Sequence, residues 1–349
     1  MLLTKKVALA IVLPALIAGA PAAADPVADF YRGKTVEILI GAAAGGGYDL
    51  AGRAVARHLG RHIPGEPTIV VKNMPGSTSL RMTNHLYNVA PRDGTSIGMP
   101  NNNIPFEPRL HMLSPDGKNI RFDLDRFNWI GTPLQEPQVL YVWHEAPVKT
   151  VADLKKTEIL VGTTAVASDN YTLPVLMNRL IGTRMKPVSG YQGQNEIFLA
   201  LERGEVQGNS TGLSNLFVHK AAWMKQGKLR ILMQFAVERN PQIGNVPTAL
   251  ELVSSDADRD LLRLYLSKYK MARPLAMPPE VPPERVAAIR AAFDATMKDP
   301  QYLAEANKMH LDVSPVDGPE IAALVHRIGT APQPIIDRLK SLVVRPGKS

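Results

Sequence analysis

The sequence predicts an α/β protein built as two units with a cleft between them. Runs rich in β-branched residues alternate with amphipathic segments, the pattern of βαβ units in a parallel sheet. The alternation halts at a connector carrying Pro133 and Pro137, resumes, and ends at a second proline-studded stretch, residues 273–283. Two units joined by two crossings enclose a cleft, and ligands of open α/β sheets sit at the carboxyl ends of strands.

In the first unit, β-rich runs at 35–40, 68–71 and 95–99 alternate with amphipathic segments at 49–59 and 78–89. The connector, 127–145, holds a further β-rich stretch at 138–143. The second unit reads as a short helix at 151–155, a strand at 158–161, a helix at 170–180, a strand at 185–188 and a helix at 194–203. A strand at Val206, a helix at 216–225 and a strand at 229–235 complete it. Helical patterns at 283–297, 301–309, 319–328 and 334–342 finish the chain. The expected lobes are therefore residues 25–134 with 273–349, and residues 135–272.

The first 24 residues read as a cleaved export signal. Lys5 and Lys6 precede an uncharged apolar run at 7–20, and Ala22, Ala23 and Ala24 lead into Asp25. The run contains Pro14 and is shorter than the roughly 18 residues a membrane-spanning helix needs. Every later apolar run is interrupted by charge or glycine, so a soluble, exported mature chain is expected. Without the signal, the 349-residue chain keeps 325 residues, more than one core usually serves. The absence of cysteine excludes disulfides, thiolate metal sites and cysteine nucleophiles. Formal charge is +8, or +6 after removal of Lys5 and Lys6, and the basic residues are scattered. That balance suits an anionic ligand or a solvated surface, and the lack of a basic run interleaved with aromatics argues against nucleic acid.

The sharpest local feature is Gly41 through Asp49, with Gly45, Gly46 and Gly47 followed by Tyr48, placed after a strand and opening a helix. Glycines there let backbone N–H groups converge on an anion at the positive end of the helix dipole. Neither a phosphate-binding G-x-x-x-x-G-K-[ST] loop nor a dinucleotide G-x-G-x-x-G fingerprint fits, so no nucleotide cofactor is expected. A second turn with Gly76, Ser77 and Thr78 suits an anion clamp or an ordinary Pro-Gly turn with a capping hydroxyl. In the second unit, Thr163, Thr164, Ser168 and Asp169, and then Tyr191, Gln192 and Gly193, repeat the theme of strand, small polar loop and helix.

Residues 208–212, which include Asn209 and Ser210, fit the G-x-S-x-G nucleophile elbow of serine hydrolases, with His219, His310 and His326 downstream. No spacing ties one of these histidines to Ser210, and a polar loop facing the cleft explains the pattern equally well. His58 and His62 form an i, i+4 pair without a third ligand, read as a solvated helix face, so no metal is expected. Trp129, Trp143 and Trp223 read as packing.

Several segments share one order and spacing: Gly45-Gly46-Gly47-Tyr48-Asp49 with Arg53, then 70–76, 90–95, 191–193, 201–206, 227–230 and 246–248. In these the chain resembles the solute-binding receptors of tripartite tricarboxylate transporters, the Bug family, over nearly the whole mature sequence. The resemblance implies a two-lobed type II periplasmic binding protein, not an enzyme, that takes a small organic anion, a carboxylate, and docks as a monomer on membrane permease subunits. A sensor subunit for a membrane kinase would share the same pocket. The resemblance places the carboxylate grip at Gly45, Gly46, Gly47, Tyr48, Asp49, Gly76, Ser77 and Thr78. It places selectivity at Thr163, Thr164, Ser168, Asp169, Tyr191, Gln192, Gly193, Asn209 and Ser210. The chain departs from the pattern at Ala42 to Ala44, where a proline is usual, and at Ser77, Thr78 and Ser79, where further glycines are. Tyr48 stands where Ser or Thr is usual and is expected to narrow the pocket or stack on a ring.

Overall fold

The computed structural model describes residues 25–165 and 168–343; the export signal expected at 1–24 lies outside them. The strands are β1 (Thr35–Ile40), β2 (Thr68–Asn73), β3 (Ser96–Met99), β4 (Asn128–Thr132), β5 (Gln138–Trp143), β6 (Ile159–Thr163), β7 (Met185–Ser189), β8 (Gly208–Gly212), β9 (Leu229–Phe235), β10 (Leu275–Met277) and β11 (Val316–Asp317). They form two sheets, in the orders β11-β4-β10-β3-β1-β2 and β7-β6-β8-β5-β9.

Both sheets are mixed, where the alternation predicted parallel ones. β1 pairs parallel with β2 and β3, and β6 with β7 and β8. The strand entered directly from each crossing is antiparallel: β5 against β8 and β9, and β10 against β3 and β4. β1 thus lies between β2 and β3, and β6 between β7 and β8, so each sheet has a topological switch point at its carboxyl edge.

Eight helices matter below: α1 (Gly47–Leu59), α2 (Leu80–Asn88), α3 (Asp169–Ile181), α4 (Gln194–Glu202), α5 (Leu213–His219), α6 (Asp256–Leu266), α7 (Pro300–Lys308) and α8 (Gln333–Val343). In α1, Ala51, Ala54, Val55 and Leu59 recur at helical spacing and are buried, most of them in one cluster with Ile38 and Ile40 of β1. Ile38 and Ile40 are wholly buried, each contributing on the order of 2 kcal/mol. The strand expected at Val206 falls at β8 instead. Its Gly-Asn-Ser-Thr-Gly sequence has little β propensity, but pairing with β5 and β6 in the sheet interior overrides that. The helix expected at 216–225 divides at Lys220, whose φ of −135° breaks it.

The crossings run through residues 133–137 and 267–274, tied together by the Glu136 N–H donating to the Tyr269 carbonyl at 3.1 Å. α8 returns onto the second sheet's helices: Arg338 Nε donates to Asp258 Oδ1 at 2.9 Å, and Arg179 on α3 bonds the Ser341 carbonyl. His58 and His62 do not lie on a solvated face. Their Nε2 atoms meet Glu305 Oε2 at 2.6 Å and Asp299 Oδ2 at 2.8 Å, fastening the end of α1 to α7.

Candidate functional site

After β1 the chain must turn into α1, and Gly45 does so at φ +80°, a left-handed conformation that favours glycine. Asp49 holds the turn in place. Its Oδ2 accepts the Gly45 N–H at 2.9 Å, and its Oδ1 accepts Arg53 Nε and Asn73 Nδ2, each at 2.9 Å. Burial opposes its charge, but the hydrogen bonds from Arg53, Gly45 and Asn73 outweigh it and hold the carboxyl below the ordinary aspartate range. The structure therefore places Asp49 beneath the loop, its carboxylate occupied by the chain itself.

Tyr48 is similarly engaged. Its hydroxyl accepts the Asn102 N–H at 3.0 Å, burial pushes its pKa up to about 12, and its ring faces the Arg273 guanidinium at 4.3 Å. One face of the Tyr48 ring is thus covered by Arg273.

The second loop is conformationally unusual. Gly76, Ser77, Thr78 and Ser79 have φ of +141°, +44°, +48° and +80°, so three successive residues with side chains are left-handed. Ser79 is wholly buried, its Oγ without a partner, and this oxygen lies 1.6 Å from where a Cβ on Gly41 would stand. The two first-lobe loops are thus in direct contact. Ser79 and Gly41 were not among the expected site residues, and the only sequence signal was the departure from glycine after Gly76.

In the second lobe, Thr163 Oγ1 bonds Ser189 Oγ at 2.9 Å across the ends of β6 and β7. The Thr164 N–H donates to Asn170 Oδ1 at 3.2 Å, and the Thr164 hydroxyl meets Ser168 Oγ at 3.1 Å, closing the loop on itself. Asp169, the first residue of α3, pairs with Lys268 Nζ at 2.8 Å. Gly193 is the N-cap of α4, and the Gln192 N–H donates to Glu196 Oε2 at 2.7 Å. Tyr191 is half-buried, and no hydrogen bond among the described residues joins these three to a first-lobe loop. Asn209 Nδ2 and Gln194 Nε2 both donate to the Tyr141 hydroxyl, at 3.2 and 3.1 Å.

Ser210 lies in the middle of β8, extended and buried, its Oγ without a partner. A nucleophile elbow needs the serine on a sharp strand-to-helix turn within reach of a histidine. Ser210 stands inside the strand, paired with Leu140 of β5, instead of on such a turn. Among the described residues, no three His, Cys, Asp or Glu side chains are grouped to hold a metal ion.

The crossings supply charged residues that sequence reading missed, since their segments read only as boundaries. Arg273 Nη2 donates to Glu136 Oε2 at 2.7 Å; Glu136 Oε1 accepts the Ser214 N–H at 3.2 Å at the start of α5. Lys268 Nζ also donates to Asn103 Oδ1 at 2.6 Å. A cavity of about 600 Å³ borders Glu136, with walls from Leu134, Leu213, Ser214, Phe217 and Asn240. A smaller one of about 230 Å³ separates Gly47 and Leu50 of α1 from Ser214, Asn215 and Val218 of α5. The starts of α1 and α5, one from each lobe, therefore face each other beside the crossings.

Two sheets with central switch points, joined by two crossings, define a two-lobed binding protein of the periplasmic type. The chain matches the model of the tripartite tricarboxylate transporter family receptor over residues 52–340, and it belongs to that family. A Cupriavidus necator relative, the UPF0065 protein in the gbd 5' region, is 23% identical over 331 residues, covering 93% of this chain and 92% of its own. A solved R. palustris protein with adipate superposes with a TM-score of 0.66 at 18% identity, over 89% of this chain and 98% of its own. MatC from Rhodopseudomonas palustris, with bound malate, gives 0.62 at 19% identity, over 89% and 99%. At these identities the two structures show the shared fold.

Proposed function

We propose that this protein is a periplasmic receptor that captures a small carboxylate between its lobes and delivers it to membrane permease subunits, without chemistry of its own. One observation carries the reading. The helices that start after Thr150, Ser255, Asp299 and Asp317 are capped by those side chains, whereas α1, α3 and α4, which follow the carboxyl ends of β1, β6 and β7, are among the helices without a side-chain cap, at Gly46, Ser168 and Gly193. Uncapped helix starts leave backbone N–H groups for an external anion. Gly45, Gly46, Gly47 and Tyr48, with Gly76, Ser77 and Thr78, supply the first-lobe grip in this reading, and Thr163, Thr164, Ser168, Asp169, Tyr191, Gln192, Gly193, Asn209 and Ser210 the second-lobe contacts. In this reading the lobes divide at the two crossings, residues 133–137 and 267–274, and α8 of the closing segment returns onto the second lobe.

The adipate and malate held by the two R. palustris proteins support a carboxylate as the ligand class. Among the described residues no helix is long and apolar enough to cross a membrane. Calorimetry and thermal-shift measurements against linear and hydroxylated mono- and dicarboxylates, adipate and malate included, test the reading. Stabilisation by one or more of them is expected, and a folded protein indifferent to the whole panel would overturn it.

A further inference from the structure

We propose that Arg273, on the second crossing, is the charged donor of the anion site: the bound anion sits beside Gly47, where the first turn of α1 meets the Arg273 guanidinium and its free Nε–H. The inference rests on the receptor reading and adds to it a residue outside the glycine loops.

A Cβ built on Gly47 would stand 2.9 Å from Arg273 Nη2 and 3.9 Å from Nε, so the guanidinium lies directly against the first residue of α1. That helix has thirteen residues and no side-chain cap, and its first-turn Asp49 is already occupied by Gly45, Arg53 and Asn73. A cation is therefore held at the positive end of a helix dipole, an arrangement that favours a bound anion. Arg273 is 8% exposed, and its Nε has no hydrogen-bond partner although Nη1 reaches the Ala272 carbonyl and Nη2 reaches Glu136. Buried donors are rarely left unpaired, so Arg273 Nε points to an acceptor that arrives with the ligand.

Among the described residues Arg273 forms an ion pair with Glu136 alone, and that carboxylate is shared with Ser214 at the start of α5. Glu136 thus acts as an internal competitor for the place a ligand anion takes. Arginine suits this position better than lysine because its planar fork can hold Glu136 through Nη2 and still present Nε–H.

The test uses the full mature protein and the carboxylate panel, with affinity read by calorimetry and folding by thermal melting. Arg273→Lys, which keeps the charge and loses the fork, is expected to weaken whichever panel anion binds wild type at least tenfold. Glu136→Gln, which removes the competing charge, is expected to tighten the same anion several-fold, a gain that a purely structural role would not produce. Should Arg273→Lys fail to fold, Glu136→Gln decides alone. Unchanged affinity in a folded Arg273→Lys, or weaker binding in Glu136→Gln, overturns the assignment and leaves the receptor reading standing. If wild type binds no panel anion, both fall together.

Discussion

Lys268 Nζ lies 2.8 Å from Asp169 Oδ1 and 2.6 Å from Asn103 Oδ1, so one wholly buried ammonium on the second crossing joins the loop after β3 to the first turn of α3. Burial works against the charge on Lys268, but Asp169 and the neighbouring Tyr265 hold its pKa above the ordinary lysine value. Its Nζ also stands 3.7 Å from the centre of the Tyr265 ring. First lobe, second lobe and crossing thus meet at a single side chain.

Removing one partner of such a pair strands the other charge. Lys268→Met is expected to lower stability by about 3–5 kcal/mol, seen as a lower urea midpoint. Lys268→Met with Asp169→Leu should recover much of that loss, since no buried charge is then left alone. A single-variant loss below about 1 kcal/mol would show that the pair is solvated in solution.

Much of this architecture could be read from the residues because it is carried by pattern. β1, β5 and β9 fall at the residues their β-rich runs marked, and α1 follows the spacing of its apolar residues. β8 escaped because Gly-Asn-Ser-Thr-Gly becomes a strand only through neighbours distant in sequence. Helix α6, which carries Asp258 and Tyr265, went unread between the last strand of the second unit and the proline-studded boundary. Of the site, the glycine turn at Gly45 was legible, since a left-handed residue before a helix writes itself as glycine. The charges at Glu136, Lys268 and Arg273 were not: each pairs with a residue far away in the chain, and no local spacing announces that.

The contact between Gly41 and Ser79 gives a prediction that joins the two first-lobe loops. Gly41→Ala would drive a methyl into the Ser79 Oγ, so a loss of about 1–3 kcal/mol is expected. Ser79→Gly removes that oxygen and also relieves a left-handed residue at φ +80°, so alone it should stabilise by about 1 kcal/mol. The double variant, with the clashing oxygen gone, should be about as stable as Ser79→Gly alone. Additive effects in a double-mutant cycle would contradict the contact.

Acid should loosen α7 from α1. Burial opposes the charge on Asp299, but hydrogen bonds from His62, the Gln301 N–H and Arg61 prevail and lower its pKa; at Glu305 the Arg57 hydrogen bond is the main lowering cause. Both folded values lie below the unfolded ones, so their stabilisation is full above the ordinary carboxylate range, roughly pH 4, and is lost as pH falls through the folded values. Urea midpoints are expected to hold from pH 7 to about 5 and then decline, with a shallower decline in Asp299→Asn. An equal slope in that variant would assign the acid sensitivity elsewhere.

Gly46→Val separates binding from folding. Gly46 has φ −88° and ψ 173°, a conformation open to valine, and a Cβ there meets nothing closer than the Ala43 carbonyl oxygen at 3.8 Å. Stability should therefore change by no more than about 0.5 kcal/mol. The valine methyls would stand over the first-turn N–H groups of α1, where the proposed ligand anion needs close approach of backbone. Affinity for the panel carboxylate that binds wild type should fall at least tenfold, measured by calorimetry beside an unaltered melting curve. If affinity is retained, the anion does not sit at the start of α1, and the grip must be sought among the second-lobe helix starts at Ser168 and Gly193.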